Sequence, residues 1–141
     1  MSKTVLITGA ASGIGLYVAQ QLAMQGHTII VTDLNQQAAQ QAAAGIVEQG
    51  GSAEGYALNV ADSDAIEQFF TELNQPIDVL INNAGIQHVS RIEDFPADKW
   101  QQLINIMLVG PALLTQAFLP AMREQNYGRI INVGSIHFLV A

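Results

Sequence analysis

The stretch Thr8-Gly9-Ala10-Ala11-Ser12-Gly13-Ile14-Gly15 sets three glycines between an apolar run, Val5-Leu6-Ile7, and a stretch with apolar residues at helical spacing that begins at Leu16. A strand that enters a glycine turn and leaves it as a helix suits phosphate binding. Glycine lets the backbone turn tightly and lets a ligand come close. The new helix adds free N–H groups and a partial positive charge, which suit a pyrophosphate. The same residues would also serve an ordinary strand-to-helix connection. Their spacing, G-x-x-x-G-x-G, departs from the G-x-G-x-x-G of common dinucleotide folds. The reading therefore depends on what the other strand ends carry.

Asp33 closes a second apolar strand, His27 to Thr32, twenty residues beyond Gly13. An acid there can accept both hydroxyls of an adenosine ribose and would repel a 2′-phosphate. Leu34-Asn35-Gln36-Gln37 offers no arginine to receive such a phosphate. Beside the glycine turn, Asp33 thus favours NAD over NADP; taken alone, it would read as a cap for the next helix. A fourth strand, Val79-Leu80-Ile81, runs into a second small-residue turn, Asn82-Asn83-Ala84-Gly85. Ala84 and Gly85 leave room for a cofactor, and asparagine side chains can tie neighbouring strand ends together. A fifth strand, Arg129 to Val133, delivers Gly134-Ser135-Ile136-His137 to the edge where such sheets present ligands.

The T-G-x-x-x-G-I-G turn and the N-N-A-G turn together resemble the short-chain dehydrogenase/reductase family. The resemblance implies an NAD-dependent oxidoreductase with cofactor contacts at Gly9, Ser12, Gly13, Ile14, Gly15, Asp33, Asn59, Val60, Asn83, Ala84 and Gly85. Asn59-Val60 stands where the family pattern is Asp-Val against the adenine; Asn59 keeps an acceptor for that role and fits a strand-end turn equally well. Ser135 is implied as the catalytic residue that hydrogen-bonds the substrate oxygen. Ile86-Gln87-His88-Val89, Glu93-Asp94-Phe95-Pro96 and Ser135-Ile136-His137 are similar to the 3-hydroxybutyrate dehydrogenase branch. That similarity implies oxidation of 3-hydroxybutyrate to acetoacetate, with Gln87 and His137 holding the carboxylate of a short hydroxy acid. Both can donate a hydrogen bond, and both also fit as a loop glutamine and a turn histidine. His88 is expected to be exposed. Phe138 replaces a more usual glycine and would alter the pocket mouth.

Two departures from the family pattern bear on chemistry. Oxidising a secondary alcohol removes a hydride from carbon and a proton from oxygen, so a base near neutrality is needed. The family supplies it through Tyr-x-x-x-Lys, which occurs nowhere in these 141 residues; the resemblance places it beyond Ala141. The chain is expected to be an N-terminal portion without turnover of its own. The competing readings are a dehydrogenase of another secondary alcohol and a dinucleotide-binding module that does not catalyse. Met107 stands where the resemblance puts an asparagine, and a thioether cannot order water as an amide does.

Such residues converge only if the elements alternate as strand and helix. The near-continuous apolar strands predict an α/β, doubly wound, Rossmann-type parallel sheet over 1–141, order 3-2-1-4-5, with its C-terminal strands missing. Helices are expected from Leu16, over Asn35 to Gln49 and Ala65 to Leu73, and from Ala97 to Arg123 with a bend near Gly110-Pro111. The third strand is expected at Gly55 to Leu58. Half the residues are hydrophobic, and the formal net charge is -7 with only Lys3, Arg91, Lys99, Arg123 and Arg129 as fixed cations. A nucleic-acid track or an anionic membrane surface is a poor match for that balance. There is no cysteine, hence neither a disulfide framework nor a thiolate metal site, and no metal is expected. Met1-Ser2-Lys3 leads straight into a strand, leaving no room for a signal peptide, and a cytoplasmic location is expected. Leu103 to Leu119 reads as a buried helix, not a membrane span. Homo-oligomerisation is expected of the extended enzyme, and self-association of this chain.

Overall fold

The computed structural model describes residues 1–135. Five strands, β1 (Thr4–Thr8), β2 (Thr28–Asp33), β3 (Ser52–Ala57), β4 (Val79–Asn82) and β5 (Arg129–Asn132), form one sheet in the order β3-β2-β1-β4-β5. Every pairing is parallel. The connections carry α1 (Gly13–Met24), α2 (Gln36–Glu48), α3 (Ser63–Leu73) and a long helical stretch before β5. That stretch divides into α4 (Ala97–Ile104), a π-helical segment (Asn105–Val109) and α5 (Gly110–Glu124). This is the expected doubly wound topology.

Side chains alternate across a strand, and both faces of this sheet are covered, so the middles of the central strands are continuous apolar runs, residues 5–7, 29–31 and 79–81. On one face Val5, Ile7, Ile29 and Val31 meet Ala19 and Ala23 of α1 and Ala39, Ala43 and Ile46 of α2. On the other, Leu6, Ile30 and Leu80 meet Phe69 of α3 and Leu114 and Phe118 of α5. The starts of α2 and α3 are set by side chains. Asn35 Oδ1 accepts from Ala38 N at 3.0 Å ahead of α2. Asp62 Oδ1 accepts from Asp64 N at 2.9 Å ahead of α3.

Four expectations need correction. α1 begins at Gly13, not Leu16, because the last two glycines of the turn already lie in its first helical turn. α3 begins at Ser63, directly after its Asp62 cap. β3 lies at Ser52–Ala57, upstream of the expected run. As an edge strand it leaves Ser52, Glu54 and Ala57 exposed, so it alternates instead of reading as a buried run. Finally, the long helix is buried only in part. Leu114, Phe118 and Met122 lie in the core, while Ile104, Met107, Leu108 and Val109 are 41–62% exposed. Among the described residues this is the one helix long and apolar enough to cross a membrane by length and composition. It packs along the sheet through Leu114 and Phe118.

The expected bend is a π segment just before Gly110-Pro111. Gly110 N donates to Asn105 O, a five-residue step. Pro111 has no N–H, and its ring crowds the carbonyl four residues back, so the helix widens there. Gly110 is buried, and a Cβ on it would run into the Val60 carbonyl. The helix is thereby seated on the loop that follows β3.

Candidate functional site

The two small-residue turns are sewn together at the carboxyl ends of β1 and β4. Thr8 is 1% exposed, and its Oγ1 accepts from Asn83 N and Ala84 N, both at 3.0 Å. In return Asn83 Nδ2 donates to Thr8 O at 3.0 Å and Gly9 O at 3.1 Å. This close approach is what demands small residues. A Cβ on Gly9 would stand 2.9 Å from Ala84 Cα, and one on Gly15 would stand 2.5 Å from Gly9 O and 2.6 Å from Asn83 Nδ2. The tie expected of an N-N-A-G asparagine is thus made by Asn83.

The outer side of the glycine turn is open. Gly13 has φ +56°, a left-handed conformation that favours glycine, and a Cβ there would meet nothing within 4 Å. Ser12, at the N-cap of α1, makes no side-chain cap hydrogen bond, and no acid sits in the first helical turn. Ser12, Gly13 and Ile14 are exposed. The first N–H groups of α1 and its positive dipole end therefore face an unobstructed space, which fits an anion such as a pyrophosphate.

Asp33, at the end of β2, is held against that turn. Its Oδ2 accepts from Ala11 N and its Oδ1 from Asn35 N, each at 3.3 Å. A cleft of about 170 Å³ opens beside it, lined by Gly9, Asp33, Asn59, Val60, Ala84 and Gly85 among others. Six residues singled out from sequence thus converge on one cavity. Its lining includes no lysine or arginine. Of the two roles open to Asn59, the turn role is visible: Oδ1 accepts from Ala61 N at 3.1 Å and the main-chain carbonyl from Asp62 N at 3.2 Å. Leu34, Ile86 and Ile106 also line the cleft and were not singled out from sequence. Ile106 belongs to the π segment, so no local motif marks it.

A second cleft, about 480 Å³, lies between the ends of β4 and β5 and the long helix, lined by Asn82, Ala84, Met107, Asn132 and Val133 among others. Met107 reaches the second turn, its Cε 3.6 Å from where a Cβ on Gly85 would stand. Asn105 is turned to its own helix, where Oδ1 accepts from Gln101 Nε2 at 2.8 Å. Asn82 is 6% exposed and its Nδ2 donates to Asn132 Oδ1 at 2.8 Å. Its own Oδ1 is buried without a partner.

Ser135 is exposed just past β5, whose end is fastened by Val133 N donating to Asn82 O at 3.0 Å. Gln87 is exposed on the loop after the second turn. His88, expected to be exposed, is half-buried, because its ring packs edge-on against Phe95, 5.0 Å between centroids. Phe95 in turn lies 4.4 Å from Trp100. His137 and Phe138 lie outside the described residues. Tyr56 sits on edge strand β3 and donates to Glu54 Oε2 at 2.6 Å. That bond, aided by burial and the charges of Glu54 and Glu72, pushes its pKa up to about 12, far above a useful base. Among the described residues, no three His, Asp or Glu gather as metal ligands.

A family model described as short chain dehydrogenase matches residues 3–141. The chain is 41% identical, over 142 aligned positions, to a D-beta-hydroxybutyrate dehydrogenase of Cupriavidus necator, covering 99% of the chain and 55% of that protein. It is 38% identical to the uncharacterized oxidoreductase YxjF of Bacillus subtilis, covering 98% of the chain and 55% of that protein. Among solved structures, a gluconate 5-dehydrogenase from Burkholderia cenocepacia in complex with NADP and tartrate superposes with a TM-score of 0.92 at 32% identity, covering 99% of this chain and 56% of the other. The chain therefore spans little more than half the length of these relatives.

Proposed function

The chain belongs to the short-chain dehydrogenase family, and from that premise we propose that it is the cofactor-binding part of an NAD-dependent 3-hydroxybutyrate dehydrogenase. The observation that carries the cofactor choice is Asp33. Its carboxylate lines a cleft with no cation to receive a 2′-phosphate. A solved relative at 32% identity is in complex with NADP, so family membership does not choose between the dinucleotides and the choice rests on Asp33.

Gly9, Ser12, Gly13, Ile14 and Gly15 would hold the pyrophosphate on the N-terminus of α1, and Asp33 the adenosine ribose. Asn59 and Val60 would flank the adenine, with the Asn59 amide as the remaining donor. Asn83, Ala84 and Gly85 would leave room for the middle of the cofactor. When bound, the nicotinamide dinucleotide supplies a hydride acceptor. Ser135 would hydrogen-bond the substrate oxygen, and Gln87 and His137 the carboxylate. The substrate reading is supported by the similarity to the Cupriavidus necator enzyme and by the placement of Gln87 and Ser135 past β4 and β5.

Separate titrations with NADH and NADPH, followed by calorimetric heat and Trp100 fluorescence, test the reading. Tighter binding of NADH is expected. Tighter binding of NADPH would overturn the role given to Asp33.

A further inference from the structure

At the opposite end of the sheet, two of the chain's five fixed cations, Lys3 and Arg129, flank one aromatic ring, and a third, Arg123, lines the cleft beside it. Lys3 Nζ stands 3.6 Å from the centroid of Tyr127, and the Arg129 guanidinium carbon stands 5.1 Å from it. Arg123 comes from the last turn of α5. An open cleft of about 480 Å³ lies there. Arg123, Asn126, Tyr127 and Arg129 form its polar side, Met122 and Ile130 part of its apolar side, and no carboxylate lines it.

The walls are held in place. Asn126 has φ +55° at the end of α5, and Tyr127 N donates to Met122 O at 3.1 Å. Gln125 Nε2 donates to Ile77 O at 3.2 Å and Tyr127 O at 2.9 Å. A Cβ on Gly128 would stand 2.6–2.8 Å from Met122 side-chain atoms, so the backbone lies directly on that side chain. Lys3 has an acidic partner, Asp78 at 3.6 Å. Among the described residues neither Arg123 nor Arg129 has one. In a chain of net charge -7, two guanidinium groups left without acids beside an apolar wall form a complementary surface for a negative head on an apolar body.

We infer that this cleft binds an organic anion with an apolar tail, its carboxylate or phosphate on Arg123 and Arg129 and its tail over Met122 and Ile130. The site is separate from the glycine turns and does not depend on the function proposed above. Calorimetry with octanoate and octyl phosphate tests it, with 1-octanol as the uncharged tail and inorganic phosphate as the bare head. Hydrogen exchange read by mass spectrometry locates the binding. Both amphiphiles should bind, protect peptides covering 119–130 and leave the glycine turn unchanged; the tighter of the two identifies the head group. Octanol and inorganic phosphate should each bind at least about tenfold more weakly, and Arg123→Ala should weaken binding by about tenfold or more. Arg123 is exposed, so its loss should leave the melt unchanged. Raising the salt should weaken binding. Absent binding, protection centred on residues 8–15, octanol binding as well as octanoate, or an Arg123→Ala variant that binds normally would each overturn the assignment.

Discussion

At the scale of single residues, Asp33 joins two roles that compete for the same oxygens. It accepts from Ala11 N and Asn35 N, and in the proposed function it also accepts from a ribose. Asp33→Ala removes both and should weaken NADH binding by about 1.5–3 kcal/mol, the value of a hydrogen bond to a charged group. Asp33→Asn keeps the shape and should lower the preference for NADH over NADPH; parallel titrations of the variants check both outcomes. Tyr56 offers a test by pH. Its pKa is raised from 10.0 to about 12 in the folded chain, so the protonated hydroxyl is the form the fold stabilises. That contribution is complete below the unfolded value and is lost as pH rises through the folded one. Denaturant midpoints should therefore fall between about pH 10 and 12 in the native chain and fall less in Tyr56→Phe; parallel curves would exclude the Glu54 bond as a contributor. Asp33 and Asn83 were legible in sequence because residue type and position at a strand end suffice to define what they can do. Asn59 was not, since an Asx turn and a ligand contact call on the same acceptor. A tie from Asn82 to a neighbouring strand end was expected, but its partner Asn132 was not legible, since no motif marks it.

At the scale of elements, the central strands and the β5 edge were legible and the β3 edge was not. Strands β1, β2 and β4 read as apolar runs because helices cover both faces. The edge strand β3 has no such cover on its outer positions and hid its start in Ser52 and Glu54. The break in the long helix was visible in Gly110-Pro111, but the seating of Gly110 on the Val60 carbonyl depends on a distant loop, which no local pattern reveals. The join between β1, α1 and β4 is the element contact on which the site depends. Gly15→Ala would place a Cβ 2.5 Å from Gly9 O and 2.6 Å from Asn83 Nδ2. Overpacking of this kind costs about 1–3 kcal/mol. Since the affected groups form the glycine turn, NADH affinity should fall together with the denaturant midpoint. Thr8→Val, which leaves the part-buried N–H groups of Asn83 and Ala84 without their acceptor, should lower stability too, by up to about 1–3 kcal/mol for each donor. A Thr8→Val protein with an unchanged midpoint would show that the two turns hold together without that hydroxyl.

At the scale of the whole molecule, two opposing terms govern association. The net charge of -7 repels like copies at low salt. Against it stands an apolar surface running along the π segment and β5: Met107 is 55% exposed, Leu108 62%, Ile131 48% and Val133 45%. Met107, Leu108 and Val133 also share the larger cleft beside the second turn, so the exposed side chains are contiguous there. Exposed apolar patches of this sort mark interaction surfaces or aggregation sites. Charge repulsion between solvent-exposed groups is screened over about 8–10 Å at ordinary ionic strength, whereas apolar contact is not weakened by salt. The 141-residue chain should therefore self-associate, and more so as salt rises. Leu108→Lys places a hydrated charge in the apolar patch without removing a core contact, because Leu108 is exposed. Sedimentation velocity over a salt series should show the native chain as dimers or larger species and Leu108→Lys shifted toward monomer, with the two melting alike. A native chain that sediments as a single monomer at every salt concentration and melts cooperatively would show that this surface is closed by the chain itself.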